Sequence, residues 1–159
     1  MQKKDEISFR TDELDLKILQ LLRKNGKLST KEVAQELNLT YTPTYERIRK
    51  LENNGFIKGY HAEIDLALLG KKLTVFTQVS LKVHTQEFLD DFECSVTAFP
   101  EVQLCAHISG DFDYLLQIAV RDIEDYREFI VSKLSKIDHI SKLHSNFVLK
   151  LIKDQGSIY

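Results

Sequence analysis

The spacing of apolar residues changes near the middle of this chain, and this change restricts the fold more than any other feature. Between residues 11 and 53 apolar residues recur every three to four positions, as on one face of an amphipathic helix. From Leu73 to Val83 they alternate with polar residues, as in a strand buried on one face. With 159 residues the chain is long enough for two small domains. We therefore expect a helical domain followed by a domain that contains strands.

The helical part predicts three short helices. One face of the first helix carries Leu14, Ile18, Leu21 and Leu22. The segment Ser29-Thr30-Lys31-Glu32 is typical of a capping box at the start of the second helix, and Thr40 is a candidate N-cap for the third. Pro43 then falls in the first turn of that third helix, where it removes no helical hydrogen bond. The inward residues are expected to be Ala34, Leu39, Thr44, Ile48 and Leu51, which together predict a helix-turn-helix.

The chain between the two parts is expected to be extended. Residues 56–64 are rich in β-forming residues and predict a strand that leaves the helical domain, followed by a hinge over 65–71. The predicted organisation is a helix-turn-helix domain over 1–60, a connecting strand and hinge over 61–71, and a second domain over 72–159.

The second part predicts the element order β-α-β-β-α-β. A helix with inward Leu89, Phe92, Val96 and Phe99 follows the first strand, and a hairpin covers 102–121 with Val102, Leu104, Ala106 and Ile108 facing inward. Asp122 is a candidate cap for a helix whose apolar side includes Ile123, and a last strand extends to Leu151. The fold class is therefore α+β, a winged-helix-like helix-turn-helix domain plus a ferredoxin-like domain with both helices on one sheet face. Apolar residues at outward strand positions predict that another subunit covers the open face: Phe76, Cys105, Leu115, Ala119 and Val148.

Charge separates the two parts as well. Residues 1–60 carry 12 Lys and Arg against 9 Asp and Glu, whereas the remainder carries 10 against 15. A positive first part favours a polyanionic partner such as double-stranded DNA. The sequence contains no apolar run of membrane-spanning length and no secretory leader, so we expect a cytoplasmic protein without a membrane partner.

The third predicted helix presents a polar face opposite its buried side. Hydroxyl and carboxylate groups there are suited to base edges, and cations to phosphates. Glu46 is informative because a carboxylate repels phosphate, which leaves the amino group of cytosine as its plausible partner. The DNA-binding candidates are Thr42, Pro43, Tyr45, Glu46, Arg47, Arg49 and Lys50. An ordinary solvated helix face is the alternative interpretation of the same residues.

The residues give no indication of an enzyme or a metalloprotein. Asp111 and Asp113 flank a turn, but no nucleophile, paired base or phosphate-binding loop accompanies them. Gly110-Asp111 is also ordinary turn chemistry for a hairpin tip. The five histidines and two cysteines lack metal-ligand spacing. We expect no catalytic residue, no metal site and no bound cofactor.

Two motifs in the expected order resemble the Lrp/AsnC family of prokaryotic transcription regulators. The first extends from Pro43 to Glu52 and continues through Gly55-x-Ile57-Lys58-Gly59-Tyr60, and the second is Ser109-Gly110-Asp111-Phe112-Asp113-Tyr114. Tyr41 departs from the family pattern, in which Pro often occupies this position. The resemblance implies a DNA-binding regulator whose second domain assembles dimers, which join into tetramers or octamers, and binds an amino acid.

The resemblance also implies an effector site near the hairpin. The corresponding residues are Ser109, Gly110, Asp111, Phe112, Asp113, Tyr114 and Asp122. Main-chain N–H groups around Gly110 would take a ligand carboxylate, and one of the aspartates its ammonium group. Two other functions remain open at this point: an architectural DNA-binding oligomer without an effector, and a small-molecule-binding oligomer that does not bind DNA.

Overall fold

A computed structural model describes residues 10–152 of the chain. The chain divides into two compact units, Met1–Ala62 and Glu63–Tyr159. Within the described residues, all helices of the first unit precede the first strand of the second.

The first unit contains three helices: α1 (Glu13–Lys24), α2 (Thr30–Glu36) and α3 (Tyr41–Asn53). Capping boxes begin α1 and α2. Ser29 and Glu32 satisfy each other's backbone N–H groups at the start of α2, as predicted. Asp12 and Asp15 do the same at the start of α1. Thr40 is the N-cap of α3, but its side chain makes no capping hydrogen bond.

A small apolar core holds the three helices together, with Ile18, Leu22, Val33, Ile48 and Leu51 at its centre. The buried side of α3 consists of Thr44, Ile48 and Leu51, which confirms the predicted orientation of that helix. Leu39 in the turn is only half-buried rather than buried. Its backbone N–H donates to the Ala34 carbonyl at 2.8 Å and so fixes the turn between α2 and α3.

The predicted strand over 56–64 is wrong. The backbone N–H groups of Phe56 and Ile57 both donate to the Leu51 carbonyl, at 2.9 and 3.2 Å, and turn the chain back onto the end of α3. A strand also needs a neighbour for its backbone groups, and the four paired strands among the described residues all lie in the second unit.

The second unit has the predicted β-α-β-β-α-β order. Its elements are β1 (Leu73–Leu81), α4 (Gln86–Thr97), β2 (Val102–His107), β3 (Tyr114–Val120), α5 (Ile123–Ser132), a 3₁₀ turn (Leu134–Lys136) and β4 (Ile140–Phe147). The sheet order is β2-β3-β1-β4, and every neighbouring pair is antiparallel. The core lies between α4, α5 and one face of the sheet, with Val75, Val79, Phe92, Leu116 and Phe129 among its buried side chains. The predicted ferredoxin-like fold is confirmed.

A bulge in β2 reverses the predicted facing of that strand. Val102 pairs with Ile118, but Leu104 pairs with Gln117, so one extra residue stands on the β2 side. One extra residue moves every following side chain to the other face. Cys105 therefore lies opposite the buried Leu116 and packs on the core, whereas Leu104 and Ala106 lie on the open face, contrary to prediction.

The ends of two elements also differ from prediction. β4 stops at Phe147 because β1 begins at Leu73, and the last backbone bond between them runs from Val148 N–H to the Thr74 carbonyl. Leu149, predicted to be in the strand, is consequently 98% exposed. Ile123 at the start of α5 is exposed instead of buried.

Candidate nucleic-acid interface and effector site

The exposed face of α3 carries six of the seven side chains predicted to contact DNA. Thr42, Pro43, Tyr45, Glu46, Arg49 and Lys50 are exposed. The opposite side of the helix is anchored by the core, and the Thr44 hydroxyl donates to the Thr40 carbonyl at 2.9 Å. Because the buried side fixes the rotation of α3, these six side chains project together from the unit. The arrangement is suited to insertion of α3 into a major groove.

Arg47, the seventh predicted residue, is bound by two carboxylates at the start of α1, those of its N-cap Asp12 and of Asp15. Its Nη1 donates to Asp12 Oδ2 at 2.6 Å and to Asp15 Oδ1 at 2.7 Å. The hydrogen bonds that Arg47 donates, first to Asp15 and then to Asp12, raise the pKa of Arg47. The Asp15 backbone N–H, followed by the Arg47 guanidinium, holds the pKa of Asp12 below its ordinary value. Arg47 therefore joins α3 to the start of α1.

Tyr41 was not among the predicted site residues, yet it extends the exposed face of α3. Its ring stacks on that of Tyr45, with ring centroids 6.1 Å apart and planes inclined by 8°. Both rings are about half exposed. The sequence signal that could have identified Tyr41 is the presence of two aromatic residues four positions apart at the start of a helix.

The hairpin between β2 and β3 contains the predicted effector residues 109–113. Ser109, Gly110 and Asp111 are exposed at its tip. Gly110 has φ +124°, a backbone conformation that side-chain-bearing residues rarely adopt, which explains the glycine. The Ser80 hydroxyl donates to the main-chain carbonyl of Asp111 at 3.3 Å, and Asp111 itself is exposed.

The side chain of Asp113 connects the hairpin to the end of β1 through hydrogen bonds. Its Oδ2 accepts from the Leu81 backbone N–H at 2.7 Å, and its Oδ1 lies 3.0 Å from His84 Nε2. Burial by itself would raise the pKa of Asp113, but the hydrogen bonds from Leu81 and His84 outweigh it and lower the pKa. The carboxylate thus has a structural role in the charged state.

We expect Asp113→Asn to lower the free energy of unfolding by about 1 kcal/mol at neutral pH, the usual contribution of a hydrogen bond. A carboxyl whose pKa is lower in the folded protein stabilises it above the ordinary pKa, and this contribution disappears as the pH falls through the folded-state pKa. The difference between variant and wild type should therefore persist down to about pH 5 and shrink as the pH falls below the ordinary aspartate pKa of about 4. Urea denaturation at several pH values measures it, and a difference that is independent of pH would contradict the assignment.

Phe112 lies near the polar side chains of β4. Its ring centroid is 5.1 Å from Lys142 Nζ and 6.0 Å from the His144 ring. Lys142 and His144 pair with Ser80 and Gln78 of β1. The alternate β1 residues Val79 and Thr77 are buried on the helix side of the sheet, so Lys142 and His144 lie on the open face. Neither Lys142 nor His144 was predicted as a site residue, because only the pairing of β1 with β4 brings them beside the hairpin.

Two predicted effector residues are separated from the exposed tip. Tyr114 is fully buried, its hydroxyl donates to Glu93 Oε1 at 2.8 Å, and burial raises its pKa. Asp122 accepts from the Asp125 backbone N–H at 2.9 Å and caps α5. It follows the far end of β3, which is seven residues long, or about 23 Å at ~3.3 Å per residue. The structure does not bring Asp122 to the hairpin tip.

Other kinds of site are missing from the described residues. Across residues 10–152, no group of three or more His, Cys, Asp and Glu side chains is placed to hold a metal ion. No helix in the same range combines the length and apolar composition needed to cross a membrane.

Models of two protein families match the two units. Residues 11–58 match a winged helix-turn-helix DNA-binding domain, and residues 74–158 match the Lrp/AsnC ligand-binding domain. The fold and the exposed α3 face thus define a DNA-binding transcription regulator with a separate ligand-binding domain. The chain belongs to the Lrp/AsnC family.

Relatives and solved structures agree with this assignment. The chain is 38% identical to the Bkd operon transcriptional regulator of Pseudomonas aeruginosa over 89% of its length and 92% of that protein. It is 33% identical to the leucine-responsive regulatory protein of Escherichia coli K12, over 92% and 90% of the two chains. A transcriptional regulator of Neisseria meningitidis in complex with L-methionine superposes with a TM-score of 0.87 at 32% identity, covering 91% of this chain and 94% of that one. These relatives are regulators rather than enzymes.

Proposed function

We propose that the chain is a sequence-specific regulator whose DNA affinity or assembly state responds to an amino acid. The observation that carries the DNA-binding part is the exposed polar face of α3, which projects from a unit that matches DNA-binding domains. The amino-acid part is supported by the ligand-binding match over residues 74–158 and by the similar regulator in complex with L-methionine.

The residues of α3 divide by chemistry into two proposed roles. Arg49 and Lys50 neutralise backbone phosphates and thereby contribute affinity for any duplex. Thr42 and Glu46 lie one turn apart and offer a hydroxyl and a carboxylate to base edges. Arg47 acts indirectly, because its ion pairs with Asp12 and Asp15 position α3 for contact with DNA.

The proposed effector site is the hairpin tip with the adjacent open face of the sheet. Exposed main-chain groups around Gly110 supply hydrogen bonds for a ligand carboxylate, and the solvent-exposed Asp111 supplies a charge for its ammonium group. Asp113 keeps the tip against β1, so it positions the site rather than contacting the ligand. A ligand acts by binding one assembly or DNA-competent state better than another.

Calorimetric titration of the full chain with each of the twenty amino acids tests the effector proposal. We expect saturable binding of at least one amino acid, and at least tenfold weaker binding to Asp111→Asn if that carboxylate holds the ammonium group. Asp138→Asn, another exposed aspartate of the second unit, is the matched control and should bind as the wild type does. Absence of binding by any amino acid would contradict the effector proposal and favour an architectural role on DNA.

Self-association is part of the proposal. Among the described residues of the second unit, both helices pack on the other face of the sheet. The open face includes the half-buried Phe76, Leu104 and Leu115, while Leu149 and Ile152 after β4 are 98% and 82% exposed. Apolar surface of this kind favours burial against a second copy of the chain, first as a dimer and then as a tetramer or octamer. A regulator that must reach chromosomal DNA is proposed to work in the cytoplasm.

A further inference from the structure

Two exposed aromatic side chains lie in the first two turns of α3. Tyr41 is 56% exposed and Tyr45 is 46% exposed, and their parallel rings stack at 6.1 Å. We call these two residues the aromatic pair. Stacking favours this arrangement of the two rings before any partner binds, so the pair presents a joint apolar surface rather than two independent side chains.

The aromatic pair has no evident structural role in its own unit. Neither ring belongs to the apolar core of the first unit. The hydroxyl of Tyr60 donates to Glu52 at 2.9 Å, whereas within residues 10–152 the hydroxyls of the aromatic pair have no hydrogen-bond partner. Exposed apolar surface without an internal role is typical of a contact surface.

The position of the pair restricts what it can contact. In helix-turn-helix proteins the N-terminal residues of the inserted helix meet base edges, and Tyr41 and Tyr45 occupy the first two turns of α3. In an intact duplex the base faces are stacked on each other and are not available to a ring. The apolar group that a duplex presents in the major groove is the C5 methyl of thymine.

We propose that the aromatic pair contacts thymine methyl groups and makes the regulator prefer thymine at the base pairs that face the first two turns of α3. This inference rests on the proposed binding of DNA by α3. It adds a specificity-determining apolar contact to the hydrogen bonds offered by Thr42 and Glu46.

The test replaces thymine by deoxyuridine, which lacks only the C5 methyl group. The full-length wild type first selects its best duplex from a random library, and each thymine of one half-site is then replaced in turn. We expect about a three- to fivefold loss of affinity at one or two positions, the effect of exposing one buried methyl group. Tyr41→Ala or Tyr45→Ala should bind the thymine duplex more weakly and respond less than twofold to deoxyuridine at those positions.

Three further variants separate the ring from the hydroxyl and from exposed apolar area in general. Tyr41→Phe and Tyr45→Phe retain the ring and should keep the wild-type response to deoxyuridine. Leu16→Ala removes a half-exposed apolar residue of α1 and should also respond as the wild type does. Circular dichroism melting checks that every variant is folded.

Several results would overturn the inference while leaving DNA binding by α3 intact. These are a selected half-site whose affinity is insensitive to deoxyuridine, alanine variants that keep the full response, and phenylalanine variants that lose it. The last result would assign the contact to the hydroxyl groups. Preference for single-stranded over duplex DNA would also overturn it, because stacking on unpaired bases would then explain the rings. A folded wild type that selects no duplex would refute the proposed function and this inference together.

Discussion

A variant with both Arg49 and Lys50 replaced by alanine should bind every duplex on the order of a thousandfold more weakly than the wild type at about 0.1 M salt. Both side chains are exposed on α3, and a dimer would lose four cations at once. Each lost phosphate contact removes about 0.9 from the slope of log affinity against log salt concentration, so the slope should become shallower by about 3.6. Fluorescence anisotropy with specific and random duplexes across a salt series measures both quantities.

The matched control is Arg23→Ala/Lys24→Ala. It removes the same two types of charge from exposed positions of the same unit, but from the last turn of α1. This control should retain the wild-type salt slope to within about one phosphate contact. Equal loss of affinity in both double variants would mean that net charge, and not the α3 face, determines DNA binding.

Replacement of Arg47 by alanine should lower the free energy of unfolding of the first unit by about 2 kcal/mol. Asp15 is only 3% exposed, and loss of the guanidinium leaves its carboxylate without a cation. A fully buried pair would lose about 3–5 kcal/mol on such a change, but Arg47 is 30% exposed and solvent reduces the effect. For a unit of this size the melting temperature should fall by about 8–16 °C.

Arg49→Ala is the control for Arg47→Ala, since its exposed side chain should change stability by less than about 0.5 kcal/mol. Adding Asp15→Asn to Arg47→Ala removes the unpaired charge and should restore part of the stability.

Asp12 contributes to stability in a pH-dependent manner because its pKa is lowered in the folded protein. Its contribution is present above the ordinary aspartate pKa and is lost in more acid solution, so the gap between Arg47→Ala and wild type should narrow below pH 4. An unchanged melting temperature for Arg47→Ala would contradict this role.

Local patterns predicted most of the elements. The capping box at Ser29 and the buried stripe of Thr44, Ile48 and Leu51 depend on residues three or four positions apart, so the sequence alone contained the necessary information. The alternation in β1 and β3 likewise predicted two strands, which the structure places at the centre of the sheet. The polar face of α3 could be predicted from its buried face, because in a helix the positions of the buried residues determine which residues point the other way.

Long-range pairing decided what these patterns could not. The bulge after Val102 placed Cys105 on the core side, the start of β1 determined where β4 ends, and hydrogen bonds to Leu51 removed the expected strand after α3. The sequence placed Arg47 on the polar face of α3 together with its neighbours. In the structure, Arg47 instead binds Asp12 and Asp15, which lie about one turn apart at the start of α1. The sequence alone therefore determined the helices, the four paired strands and their order along the chain, and it carried the resemblance to the family. The tertiary structure alone decided which charged side chains remain free for a partner, because a carboxylate more than thirty residues away can engage a cation only after the helices have packed.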